Sequence, residues 1–125
     1  MKKVVIVLGS ITTIALLFIG GVFMLTKHIY GRQDCKAFNI DNIELRTGID
    51  IPQVLSSDCD CWPNNKISKF KLDTLNVDIA RYVTRNKFTL IENSYQRNGE
   101  NSNTKWAANY DHKKNELIVE IEYKN

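Results

Sequence analysis

VVIVLGSITTIALLFIGGVFML, running from Val4 to Leu25, decides how the rest of this chain must be read. The run is 22 residues long, carries no charge, and holds nothing more polar than Ser10, Thr12 and Thr13. A helix rises about 1.5 Å per residue, so such a segment reaches about 33 Å, enough to cross a hydrocarbon core about 30 Å thick. The sequence predicts a cytoplasmic tail over 1–3, a membrane helix over 4–25, a juxtamembrane connector over 26–36 and one extracytoplasmic domain over 37–125. Gly9 and Gly20-Gly21 lie in the apolar run without a G-x-x-x-G spacing, so they argue only weakly for a helix-packing face.

A cleaved signal peptide has an apolar core of about 7–15 residues and a small-residue cleavage box. The run here is longer, and Met24-Leu25-Thr26-Lys27-His28 contains no such box. Cys35 follows Arg32-Gln33-Asp34, which does not fit a lipid-modified cysteine. The sequence thus favours a retained signal anchor. Lys2, Lys3, Lys27, His28 and Arg32 flank the run and suit headgroup anchoring. Their positive charge nearly balances across the span once Lys36 is included, so orientation rests on another argument. The short charged N-terminal tail and three cysteines beyond the span favour an N-terminus inside and a domain outside, because disulfides persist in oxidising compartments.

Removing the span leaves about 90 residues, enough for one small domain. Of 17 Lys and Arg, only Lys2 and Lys3 precede the run, so the soluble part is close to neutral. A near-neutral domain without a clustered basic face does not point to nucleic acid. The bilayer and a protein are the expected partners.

Within the domain, Ala37 to Pro52 suggests a short helix over about 41–47, capped by Asn39 or Asp41 and ended by Gly48, then an extended Ile49-Asp50-Ile51. Val54–Trp62 and Lys66–Leu72 read as strands joined by Pro63-Asn64-Asn65. In the first, Leu55, Ser57, Cys59 and Cys61 share one face, while Asp58, Asp60 and Trp62 share the other. Asp73 to Arg85 reads as a helix with Leu75, Ile79, Tyr82 and Val83 in one stripe, capped by Asp73 or Asn76 and stopped by a left-handed Asn86. Phe88–Arg97 suggests a strand, Asn98-Gly99 its hairpin turn, and 105–110 and 117–123 two more strands. Leu117, Val119, Ile121 and Tyr123 alternate cleanly with Glu120 and Glu122. The order α-β-β-α-β-β-β predicts an α+β fold, an antiparallel sheet packed on one main helix. Phe70, Leu72, Phe88, Leu90, Trp106, Leu117, Val119 and Ile121 are its expected inner face.

Chemistry concentrates in Ser57-Asp58-Cys59-Asp60-Cys61-Trp62. Cys35 is expected to pair with Cys59 or Cys61, closing a loop of about 25 residues worth about 3 kcal/mol. Three unpaired structural thiols would suit a cytosolic domain instead. A third reading is thiol-redox chemistry or a metal site built from Cys59 and Cys61, with His112 and Asp58 or Asp60 nearby. There is no C-x-x-C, no H-E-x-x-H, no G-x-S-x-G and no phosphate-binding glycine loop. His28 and His112 fall at the membrane edge and in a charged loop. The sequence therefore predicts a non-catalytic binding protein of the assembly, inhibitor or immunity type, needing no cofactor. Asp58, Asp60 and Trp62 are its expected contact surface. An extracytoplasmic thiol-redox or metal-binding protein is the alternative.

Overall fold

A computed structural model describes residues 1–31, 35 and 37–124. The chain separates into two compact units, 1–32 and 33–125.

The first unit is one helix, α1 (Lys2–Gly31), long and apolar enough to cross a membrane or to serve as a signal sequence. Its large apolar side chains from Val4 to Leu25 are exposed. The Ser10, Thr12 and Thr13 hydroxyls donate to the carbonyls of Ile6, Leu8 and Gly9, each at 2.9 Å. Those bonds satisfy the three hydroxyl donors of the apolar run within the helix itself, as a hydrocarbon environment demands. The helix carries on through Thr26–Gly31, which the sequence assigned to the connector. No proline interrupts that stretch, and a helix already nucleated over six turns extends at little cost. Lys2, Lys3, Lys27 and His28 lie on α1; Arg32 lies outside the described residues.

The second unit is an antiparallel six-stranded sheet with two short helices, an α+β fold in close to the expected order. Its elements are α2 (Asn39–Thr47), β1 (Val54–Trp62), β2 (Asn65–Leu72), α3 (Ile79–Arg85), β3 (Thr89–Ile91), β4 (Ser94–Glu100), β5 (Thr104–Asp111) and β6 (Glu116–Tyr123). In space the strands run β1-β2-β6-β5-β4-β3. The last strand of the sequence thus sits between the first hairpin and the C-terminal meander and joins them. That position explains its clean alternation: Leu117, Val119, Ile121 and Tyr123 are buried, while Glu120 and Glu122 are exposed. Register carries the inner face across the sheet in rows, such as Phe70–Leu117–Tyr110–Tyr95 and Lys66–Ile121–Trp106–Gly99. Ile43 of α2, Tyr82 and Val83 of α3, and Ile49 and Ile51 join these residues in one core.

Gly48 ends α2 as expected, in the left-handed region with its N–H on Glu44 O at 2.9 Å. The start differs: Phe38 occupies the cap position at φ 55, with no side-chain cap, rather than Asn39 or Asp41. The second helix is shorter than expected. Asp73 closes a separate turn, accepting the Leu75 N–H at 3.2 Å and the Asn76 side chain at 2.7 Å. Asp78, extended, then caps α3 by accepting the Arg81 N–H at 3.2 Å. Competing side-chain bonds from Asp73 and Asp78 break the chain into two turns where periodicity suggested one helix. Leu75 is consequently 95% exposed instead of lying in the stripe. Asn86 caps α3 without positive φ; Lys87 takes the left-handed conformation one residue later.

The stretch 88–97 holds two strands, β3 and β4, turned at Glu92 with φ 56. Asn98-Gly99 makes no turn but lies inside β4, opposite Ala107 and Trp106. The reason is space rather than backbone freedom: a Cβ on Gly99 would stand 2.5 Å from Trp106 Cζ2. The indole lies where any other residue would put a side chain. Leu90 was expected inside; on the edge strand β3, which buries none of its residues, it is 56% exposed. Phe88 and Ile79 are only partly buried.

Candidate functional site

The site grows out of the β1–β2 hairpin. Pro63-Asn64 forms a two-residue turn that pairs Trp62 with Asn65. That pairing dictates the rest of the register: Cys61 faces Lys66, Cys59 faces Ser68 and Ser57 faces Phe70. Because side chains alternate along a strand, Ser57, Cys59 and Cys61 point to the helix-covered face with buried Lys66, Ser68 and Phe70. Leu55 does not join them. A bulge between Val54 and Ser56 shifts the register there, so Val54 packs against the core and Leu55 is exposed.

Cys35 approaches the same face from the segment before α2. Its sulfur and those of Cys59 and Cys61 lie within 4.8 Å of one another. The Cα separations are 5.6 Å to Cys59 and 6.1 Å to Cys61. Both fall within the range of about 4.4–6.8 Å that a disulfide requires. The Cys59 and Cys61 sulfurs are themselves 4.0 Å apart. A divalent sulfur carries only one S–S bond, so the two pairings exclude each other. The expected staple from Cys35 to β1 is therefore geometrically available in two versions.

The surroundings of the two β1 cysteines differ. Cys59 is half-buried, with Ser68 Oγ 3.5 Å from its sulfur. It lines a hollow of about 450 Å³ with Cys35, Phe38, Asn39, Ile40 and Phe70 among its walls. Cys61 is exposed, two residues from the hairpin turn. Its ladder partner Lys66 is fully buried, and Lys66 Nζ donates to Asn42 Oδ1 of α2 at 2.8 Å. That bond ties α2 to the hairpin beneath the cysteines.

Asp58, Asp60 and Trp62 lie on the opposite face of β1, all exposed, facing Lys69, Ile67 and Asn65 respectively. Asp58 Oδ1 accepts the Cys59 N–H at 2.9 Å. The structure does not bring the aspartates toward the sulfurs. Nor does it bring His112 there: its ring meets Tyr95 edge-on, with centroids 6.4 Å apart, past the end of β5. Among the described residues, the one cluster of His, Cys, Asp and Glu able to hold a metal ion is Cys35, Cys59 and Cys61, with all three sulfurs within 4.8 Å. Three thiolates are one donor short of a tetrahedral zinc set.

The sequence reading put Ser68 on the inner face with Phe70 and Leu72 but did not set Ser68, Lys66 or Asn42 beside the cysteines. The hairpin turn would have supplied the first two, since fixing one pair of a ladder fixes all the others. Asn42 had no such signal.

A second polar centre lies at Asp50. Its carboxylate pairs with Arg85 at 2.9 Å, both partners largely exposed, and its N–H donates to Asn86 Oδ1 at 2.8 Å. Its carbonyl accepts the Tyr82 hydroxyl at 2.8 Å. Burial, then the nearby Asp50 charge, holds the Tyr82 phenol well above its ordinary value. Desolvation first, and Asp50 second, raises the Glu44 carboxyl. These bonds fasten the Ile49–Ile51 lead-in to α3. Compared with known proteins, the chain matches no family model, no curated protein and no solved structure.

Proposed function

We propose that this chain is a single-pass membrane protein, held by α1 with its N-terminus in the cytoplasm and its α+β domain on the oxidising side. There the domain acts as a non-catalytic module that binds another protein, in the manner of an assembly factor, an inhibitor or an immunity protein. The observation that carries the compartment is the convergence of Cys35 on β1, a bond that cytosolic reductants would keep open.

The sheet face opposite the helices supports the binding role. Its charge is arranged in strand-wise bands: Asp58 and Asp60 on β1, Lys69 and Lys71 on β2, Glu120 and Glu122 on β6, Lys105 on β5. Trp62 stands 52% exposed at the hairpin end of that face. An accessible indole at the end of a face that carries charges of both signs has the chemistry of a protein contact, an aromatic anchor beside polar residues.

Two measurements test the reading. On intact cells, a membrane-impermeant maleimide should label the domain after mild reduction; full protection would overturn the orientation. A photoreactive residue at position 62 or 69 should form a discrete adduct that one at Arg81 does not. Only monomer from all three positions would overturn the binding role. A thiol-redox or metal-binding role is the second reading, favoured by the three clustered sulfurs. Stoichiometric metal in the purified chain would replace the first reading with it.

A further inference from the structure

We infer that Cys35, Cys59 and Cys61 form an intramolecular thiol–disulfide exchange centre, in which Cys35 is handed between the two cysteines of β1. This goes beyond the binding role and needs no partner. Three observations carry it. Period-two alternation puts Cys59 and Cys61 on one face of one strand, 4.0 Å apart at sulfur. The Cα of Cys35 lies 5.6 Å from that of Cys59 and 6.1 Å from that of Cys61, and either separation admits a disulfide. Cys35 itself lies outside any helix or strand, so no ladder or helical hydrogen bond commits it to one partner.

The step is balanced within the chain. Starting from the Cys35–Cys59 disulfide, Cys61 gives up its proton and its thiolate attacks Cys35 Sγ. The Cys35–Cys61 bond forms as the Cys35–Cys59 bond breaks. The electron pair of the broken bond stays on Cys59, which takes up a proton from solvent. One disulfide and one thiol stand on each side, so no oxidant or reductant is consumed.

Exchange changes where the thiol is presented. With Cys35 on Cys59, the thiol belongs to exposed Cys61 at the hairpin end. With Cys35 on Cys61, it belongs to half-buried Cys59, beside Ser68 and the hollow under α2. The centre thus alternates between a thiol open to a large disulfide-bearing partner and one accessible only to small reagents.

The test uses the full chain in detergent, in a glutathione buffer that maintains one disulfide. N-ethylmaleimide traps the thiol, and cleavage before aspartate follows. Asp34, Asp41, Asp58, Asp60 and Asp73 place the three cysteines on three different fragments. The expected result is two cross-linked products, Cys35 to Cys59 and Cys35 to Cys61, within about tenfold of each other. A single pairing, a Cys59–Cys61 bond, or three alkylated cysteines would overturn the proposal. A slow, bulky maleimide then distinguishes exchange from two frozen forms. Exchange drains the whole population into the Cys61-alkylated, Cys35–Cys59-bonded product; two fixed fractions overturn it. Cys59→Ser and Cys61→Ser should each still form a disulfide to Cys35 as monomers, and failure of either also overturns it.

Discussion

At one margin of the sheet β1 runs for nine residues, and at the other β3 runs for three. Neither strand buries a side chain fully. The long margin has Cys35 at disulfide distance from it and a buried lysine–asparagine bond from β2 to α2 beneath it. Among the described residues the short margin is held by its ladder to β4, with Leu90 and Ile91 facing water. Between them, β2, β6 and β5 alternate buried and exposed positions over almost their whole length. The contrast shows that strand length does not measure how firmly an edge is held. A long edge with few buried side chains gains little from hydrophobic burial, and a cross-link supplies what the core does not.

That contrast can be broken most directly at Cys35. Cys35→Ser removes both pairings and should cost about 3 kcal/mol, the entropy of closing a loop of this length. Denaturant unfolding should show the loss. Hydrogen exchange should show the loss in β1 and also in those core amides of β5 and β6 that exchange only through global unfolding. Cys61→Ser, which leaves Cys59 for Cys35, should cost far less.

On the other half of the sheet, Gly99→Ala forces a methyl into the Trp106 ring and should cost about 1–3 kcal/mol by overpacking. Trp106 fluorescence, read in a Trp62→Phe background, should report the displaced indole. An unperturbed Trp106 would mean that β4 yields easily and that this margin is looser than its ladder suggests.

Tyr82→Phe removes the bond to Asp50 and should cost about 1 kcal/mol at neutral pH. It should also alter alkaline unfolding. The folded chain holds the Tyr82 proton above the ordinary value of 10.0, whereas the unfolded chain releases it there. Stability from this group is complete below about pH 10 and falls as pH rises beyond it. The variant should lose that part of the slope in a pH series of unfolding free energies.

The smallest effect belongs to the short margin. Leu90→Ser should change stability by no more than about 0.5 kcal/mol, as for any exposed side chain. A larger loss in thermal denaturation would show that β3 is covered in solution.

Much of the architecture was legible wherever burial alone set the pattern. Leu117 to Tyr123 alternates because one face meets the core, and Gly48 stops α2 because the left-handed position there suits glycine. The reading failed where two local preferences competed. Asn98-Gly99 has the composition of a turn, yet the glycine answers a tryptophan on the neighbouring strand, a contact that sequence separation conceals. Leu75 fits a helical stripe, yet Asp73 and Asp78 bond to the backbone around it and split the helix. At the candidate site, spacing alone put Cys59 and Cys61 on one face opposite Asp58, Asp60 and Trp62. The convergence of Cys35 on both sulfurs depends on the path of the chain into α2, which no local pattern encodes.

The cross-link also decides how the domain answers to a pull. Tension reaching the domain from the N-terminal side of Cys35 has two routes. Without the bond it travels through 36–58 and strips α2 before it reaches the sheet. With the bond it passes through sulfur into the middle of β1, and the residues between the two cysteines, 36–58 or 36–60, carry no load. β1 is then drawn against its whole ladder with β2, from Val54–Leu72 to Trp62–Asn65, and those hydrogen bonds share the force. Moving the bond from Cys59 to Cys61 shifts the point of attachment two residues toward the hairpin turn, and changes which ladder bonds meet the load first.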